Sequence, residues 1–139
     1  MVDERLADRL DAGGTPTVIQ EYVAGVDVRV HTVGARAFAC RIAGTSVDYR
    51  FEHEGAKYDR SEIPDELASR CCRFAEADGL VLAGFDFRLT EDGRWRCLEM
   101  NPVPSFLPYE FSSGLPIGAA IADVLTERRT APEITARRA

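Results

Sequence analysis

Two largely apolar segments, 81–90 and 94–100, flank Asp92-Gly93, and no other feature of this 139-residue sequence limits the fold as tightly. Asp-Gly is a preferred two-residue hairpin turn, because both central positions take positive φ. The pattern predicts antiparallel strands over Val81–Thr90 and Arg94–Met100, with Glu91 facing Arg94. Counting back from that turn sets Asp86 opposite Glu99 and Gly84 opposite Asn101. Side chains alternate faces along a strand, so Asp86, Glu99 and Asn101 share one face. Phe85, Phe87, Leu89, Leu98 and Met100 share the other, which reads as a core face. Directly opposed carboxylates have Cβ atoms about 5 Å apart and repel one another. A hard divalent cation offsets that repulsion, and Mg²⁺ takes carboxylate and amide oxygens while keeping water or phosphate as further ligands. The blander reading is a solvated strand face, with Arg88 screening the two acids. Geometry by itself leaves both open.

The rest of the chain reads as one α+β domain over 1–128, with an antiparallel sheet and packed helices, followed by a frayed tail over 129–139. Residues 2–12 suit a short helix ended by Gly13-Gly14 and Pro16. Strands are expected at Val18–Val23, Val26–Val33 and Arg36–Ile42, separated by Ala24-Gly25 and Gly34-Ala35. Residues 43–63 look irregular apart from a short strand at Val47–Phe51. A helix should start at Pro64, with Asp65 and Glu66 at its positive end and Gly79 as its stop. Pro102, Pro104 and Pro108 argue against regular structure there, and Leu115–Arg128 should close the domain with Ile117, Ile121, Val124 and Leu125 inward.

The net charge of −6 argues against nucleic acid or an anionic membrane as partner, both of which need basic surface. Lys57 is the only lysine. No stretch approaches the roughly 18 apolar residues of a membrane helix, and the N-terminus lacks a signal-peptide core. Cys40, Cys71, Cys72 and Cys97 have no zinc-site spacing, so reduced core or surface thiols in a cytoplasmic protein are expected. His31 and His53 stand beside no nucleophile, and Trp95 reads as a hairpin packing residue.

Glu99-Met100-Asn101-Pro102 resembles the Glu-x-Asn motif of ATP-grasp enzymes, and Asp86 stands thirteen residues before it, as their first metal ligand does. Gln20 through Arg29 is similar to their interdomain strand that holds adenine. Leu98 through Glu110, with Gly114-Leu115-Pro116-Ile117, resembles the peptide-modifying branch: protein-tail glutamate ligases and ribosomal-peptide maturases. The resemblance runs from about Thr17 to Leu125 and implies the C-terminal, metal-binding half of such a ligase. It implies that Glu21, Tyr22 and Val23 hold adenine and Asp27 the ribose hydroxyls. Arg29 would neutralise a phosphate or acylphosphate as the catalytic cation. Asp86, Glu99 and Asn101 would hold two Mg²⁺ ions, which Mn²⁺ could replace, on the phosphates of ATP. The implied partners are ATP and a peptide or amino-acid substrate. The implied reaction is carboxylate–amine ligation through an acylphosphate. Asp48-Tyr49-Arg50, Pro104, Ser105, Tyr109 and Glu110 would lie near the substrate.

The sequence departs from that family in two respects. It has about half the expected length, without a glycine-rich phosphate loop, and Lys57 follows the adenine strand whereas the family's phosphate lysines precede it. A separate N-terminal half or a homodimer would have to complete the site. A non-catalytic remnant serving as a metal- or peptide-binding module is the alternative. Without the downstream motif, Glu21, Asp27 and Arg29 read as solvent-facing positions of ordinary strands, and Asp27 and Arg29 as a surface pair. An unrelated two-metal phosphate hydrolase would need more carboxylates or histidines than the sequence places.

Overall fold

In a computed structural model, residues 20–43 and 57–130 can be described. They form one five-stranded antiparallel sheet covered by helices on both faces. The strands are β1 Val26–Val33, β2 Arg36–Ala43, β3 Lys57–Ser61, β4 Leu82–Leu89 and β5 Trp95–Asn101, in the order β3-β2-β1-β4-β5. The helices are α1 Asp65–Ala77, α2 Leu107–Ser113 and α3 Ile117–Thr130. No helix among the described residues is long and apolar enough to cross a membrane.

β1 is the central strand, and its residues from Val28 to Val33 are all buried. Val28 and Val30 join Ala39, Ala83, Phe85 and Phe87 beneath Cys71 and Ala75 of α1. The opposite face carries Val33, Cys40 and Ile42 beneath Tyr109, Leu115, Ile117 and Ala120. Truncating a buried aromatic such as Phe85 to Ala would cost about 3–5 kcal/mol, because the tightly packed surroundings collapse only in part.

α1 begins after Pro64 with Asp65 and Glu66 in its first turn. Gly79, at φ +70°, donates its N–H to the Glu76 carbonyl, while the Leu80 N–H reaches the Ala75 carbonyl. That is a Schellman stop, which the left-handed glycine makes possible.

Several expectations need correction. Gln20–Ala24 is irregular rather than the end of a strand. β3 occupies part of the span read as irregular; it is a polar edge strand, so it lacks the apolar alternation that marks a buried one. Pro108 does not prevent α2, since proline in a first turn has no intrahelical bond to lose. α3 starts two residues later than expected, and its Leu125 faces outward at 56% exposure. The expected helix at 2–12, Val18–Ile19 of the first expected strand, the Val47–Phe51 strand and the tail beyond Thr130 lie outside the described residues.

The hairpin reaches the expected register by an unexpected route. Thr90 and Arg94 close the turn, with the Thr90 N–H on the Arg94 carbonyl at 2.9 Å and the Gly93 N–H on the Thr90 carbonyl at 2.9 Å. Glu91-Asp92-Gly93 is therefore a three-residue loop, with Gly93 at φ +79° in the left-handed region. This slips β5 by one residue, so Leu89, Arg88 and Phe87 face Trp95, Arg96 and Cys97. A bulge at Leu98 slips it back, and Asp86 again faces Glu99, Phe85 faces Met100 and Gly84 faces Asn101. Trp95 and Cys97, not Leu98, thus share the side of Phe87, and Trp95 packs edge-on against that ring.

Candidate functional site

The register lines up a row of charged residues across the face opposite α1. Arg29 on β1 pairs with Asp86 on β4, which pairs with Glu99 on β5. One step along, Asp27 on β1 pairs with Arg88 on β4. Arg29 Nη1 lies 2.5 Å from Asp86 Oδ2, with side chains 6% and 13% exposed. Arg88 Nε lies 3.0 Å from Asp27 Oδ1 and is nearly as shielded. Two cross-strand ion pairs of opposite polarity therefore lie side by side. Neither is the Asp27–Arg29 contact that their spacing suggests.

Arg29 is enclosed. Its guanidinium sits 5.7 Å from the centre of the Tyr109 ring and against Gly84. A Cβ at Gly84 would come within 2.6 Å of Arg29 Nη2 and 2.7 Å of Pro104 Cβ, so only glycine admits both neighbours. His31 lies beneath the same loop, fully buried, and its Nε2 is 3.1 Å from the Ser105 carbonyl, to which it donates. Its ring meets Tyr109 edge-on at 4.9 Å. Burial, reinforced by Arg29, pushes the imidazole down to about 4 against the pull of the Ser105 carbonyl and Asp86. The ring is therefore neutral, and Nδ1 has no hydrogen-bond partner among the described residues.

Asn101 Oδ1 accepts the Val103 N–H at 2.8 Å, fixing the turn that leads from β5 into this loop. Glu99 projects from the sheet edge and is exposed. Among the described residues no three His, Cys, Asp or Glu side chains gather as a metal centre. The donors on offer are instead two carboxylates and one amide, all oxygen, on a face whose thiol neighbour Cys97 is turned to the other side. That set fits Mg²⁺, a hard ion that keeps several positions for water and phosphate. The cysteines offer nothing softer: all four are free, and burial pushes Cys40 and Cys71 up to about 11.

The residues read as adenine-binding lie close by. Glu21, Tyr22 and Val23 form one wall of an open groove of about 570 Å³, and Arg96, Cys97 and Leu98 form the other. Tyr22 is 60% exposed. Leu98 thus connects the groove to Glu99, the next residue. Arg88 also reaches this region: its Nη1 donates to the Gly25 carbonyl at 2.9 Å.

The residues expected near the substrate separate. Tyr109 points inward beneath Arg29, and Glu110 Oε2 accepts the Gly118 N–H at 2.5 Å, capping the start of α3. Pro104 is buried against Gly84. His53 and Asp48-Tyr49-Arg50 lie outside the described residues. Sequence reading gave no role to His31 and only screening to Arg88. Their one signal was their position on the charged face, His31 beside Arg29 and Arg88 beside Asp86.

No protein-family model matches the sequence, and a comparison with curated proteins finds no match. Solved structures do match. The ATP-grasp ligase PsnB complexed with a minimal precursor aligns at TM-score 0.69 and 30% identity, over 80% of this chain and 36% of that one. PsnB with a phosphomimetic variant of minimal precursor, Mg and ADP aligns at TM-score 0.67 and 31% identity, over 78% and 35%. The macrocyclase MdnB from Microcystis aeruginosa MRC aligns at TM-score 0.63 and 28% identity, over 76% and 39%. The match spans little more than a third of each structure.

Proposed function

We propose that this chain, having the fold of the peptide-modifying ATP-grasp ligases over about a third of their length, is the metal- and nucleotide-binding part of an ATP-dependent carboxylate–amine ligase. One observation carries the reading: the bulged hairpin holds Asp86 opposite Glu99, on the face where Arg29 enters and one residue from the groove wall at Leu98. PsnB has been solved with Mg and ADP, and with its precursor peptide, which makes ATP, Mg²⁺ and a peptide the expected ligands here.

In this reading Glu21, Tyr22 and Val23 bind adenine through the exposed edge of the irregular segment, and Asp27 takes the ribose. Asp86, Glu99 and Asn101 hold the cation. Mg²⁺ would supply positive charge where the transferring phosphoryl group gains negative charge. Arg29 orients Asp86 through their ion pair and is the cation nearest the phosphates. His31 holds the Ser105 carbonyl, keeping the loop after Asn101 folded over Arg29 and water away from it. A substrate carboxylate would attack the γ-phosphate, breaking its bond to the β–γ bridging oxygen and releasing ADP to leave an acylphosphate. An amine would then displace inorganic phosphate, losing a proton as the amide bond forms. Catalysis here rests on positioning and charge rather than on a protein nucleophile.

The Arg29–Asp86 pair also favours a second reading. Arg29 already pairs with Asp86 in the absence of a metal ion, so the fold can persist as a non-catalytic binding module. Calorimetric titration with ADP, with and without Mg²⁺, separates the two on the native chain and Glu99→Gln. The ligase reading expects Mg²⁺-dependent binding, weakened about tenfold or more by the substitution. Absence of binding to the native chain, or binding indifferent to Glu99, would favour the module.

A further inference from the structure

We infer that Arg88 is a positioning residue that sets one wall of the nucleotide groove. Its side chain is only 11% exposed, yet it lies on the face opposite the core of α1, and its guanidinium is used at two points. Nε holds Asp27 Oδ1 at 3.0 Å, and Nη1 donates to the Gly25 carbonyl at 2.9 Å. Gly25 lies at the bend where the irregular segment 20–24 becomes β1. The bend is tight: at φ +152° a Cβ on Gly25 would stand 2.4 Å from the Leu89 carbonyl oxygen. Gly25 therefore presses on the end of β4 while Arg88, one residue earlier on β4, grips its carbonyl.

The consequence is directional. Beyond the bend, Glu21–Val23 must face Arg96–Leu98 across the groove, and Arg88 is the side chain that ties the bend to β4. A planar guanidinium can hold a carboxylate and a carbonyl together, whereas a lysine presents one point charge. Asp27 balances the charge of Arg88, which lets the cation remain nearly buried. The same β4 carries Asp86 two residues before Arg88, so one strand orients both the cation site and the groove wall. The nucleotide part of this inference rests on the ligase reading, while the positioning part does not.

The test is ¹⁵N relaxation on the full chain, comparing native protein, Arg88→Met, Arg88→Lys and, as a control at a distant pair, Arg36→Met. Order parameters at Val23, Ala24 and Gly25 should lie in the rigid-backbone range of about 0.85 in native protein and Arg36→Met, and fall below about 0.6 in Arg88→Met. β5 amides from Trp95 to Asn101 should keep native values, which a general loosening would not allow. If Arg88→Met does not fold, Arg88→Lys serves, with an intermediate drop confined to the same residues. Unchanged order at Val23–Gly25 in a folded variant would overturn the inference. ADP titration with Mg²⁺ then separates the two readings. A roughly tenfold loss of affinity in Arg88→Lys supports both. A drop in order with no ADP binding by native protein keeps Arg88 as the positioner and removes the nucleotide.

Discussion

Arg29 has little freedom: Asp86 holds one side, Tyr109 lies beneath, and Gly84 leaves room for nothing larger than hydrogen. Removing one member of a buried ion pair strands the other, so Arg29→Met should destabilise the chain by about 3 kcal/mol in urea unfolding. The double variant Arg29→Met/Asp86→Leu should recover most of that loss while binding no Mg²⁺-ADP, because an apolar pair satisfies the fold and not the ion. Gly84→Ala should cost about 1–3 kcal/mol by overpacking against Arg29 and Pro104, read in the same unfolding experiment.

His31 adds a pH dependence whose sign is fixed by its environment. Burial lowers its folded-state value to about 4 from an ordinary 6.5, so the unfolded chain binds the proton more readily. Its contribution to stability is complete above pH 6.5 and is lost as pH falls through that value toward 4. The loss is on the order of 3 kcal/mol, since each tenfold drop in proton affinity is worth about 1.4 kcal/mol. His31→Gln should remove this slope between pH 6.5 and 4, which urea unfolding at a series of pH values would show as converging stabilities. Parallel curves would mean that burial does not lower the proton affinity of the ring in the fold.

The β4–β5 hairpin shows what was legible at the level of elements and what was not. The turn loop is one residue longer than Asp92-Gly93 implies, and the bulge at Leu98 restores the register, so Asp86 faces Glu99 after two compensating offsets. Nothing in the sequence marks this bulge, because Leu98 is neither a glycine nor a break in apolar character. β1, β2, β4, β5 and α1 were readable from alternation, glycine stops and acidic helix starts. β3 was not, since an edge strand need not alternate, and α2 was hidden by a proline that a first turn tolerates. The carboxylates and Asn101 were found because cross-strand register follows from counting, whereas Arg29 was singled out only by the family resemblance. The ion-pair partners were not found, because side-chain partners depend on strand order, which sets β1 between β2 and β4 and so gives Arg29 Cys40 on one side and Asp86 on the other. The bulge itself is testable. Deleting Leu98 should keep Asp86 opposite Glu99 and so keep divalent-cation binding, while removing a groove wall and weakening ADP about tenfold in calorimetry.

Across the whole molecule, the sheet divides labour by face. One face packs on α1 over one core cluster; the other gives one end to a second cluster beneath α2 and α3 and the other end to charge. Lys57 stands on the edge strand β3, with β2 and β1 between it and the strand bearing Asp86. The chain matches little more than a third of the length of the ligases it resembles, and Lys57 is its single lysine. Under the ligase reading the chain is expected to bind Mg²⁺-ADP, and calorimetry that finds no such binding would contradict this. The central claim is that the Asp86–Glu99 face is a cation–phosphate site, and Mn²⁺ reports its location directly. Titrating Mn²⁺ into ¹⁵N-labelled protein with ADP should broaden the amides around Asp86, Glu99 and Asn101 first, and Glu99→Gln should abolish that selectivity. Uniform broadening, or broadening centred on the exposed acids of α1, would contradict the account.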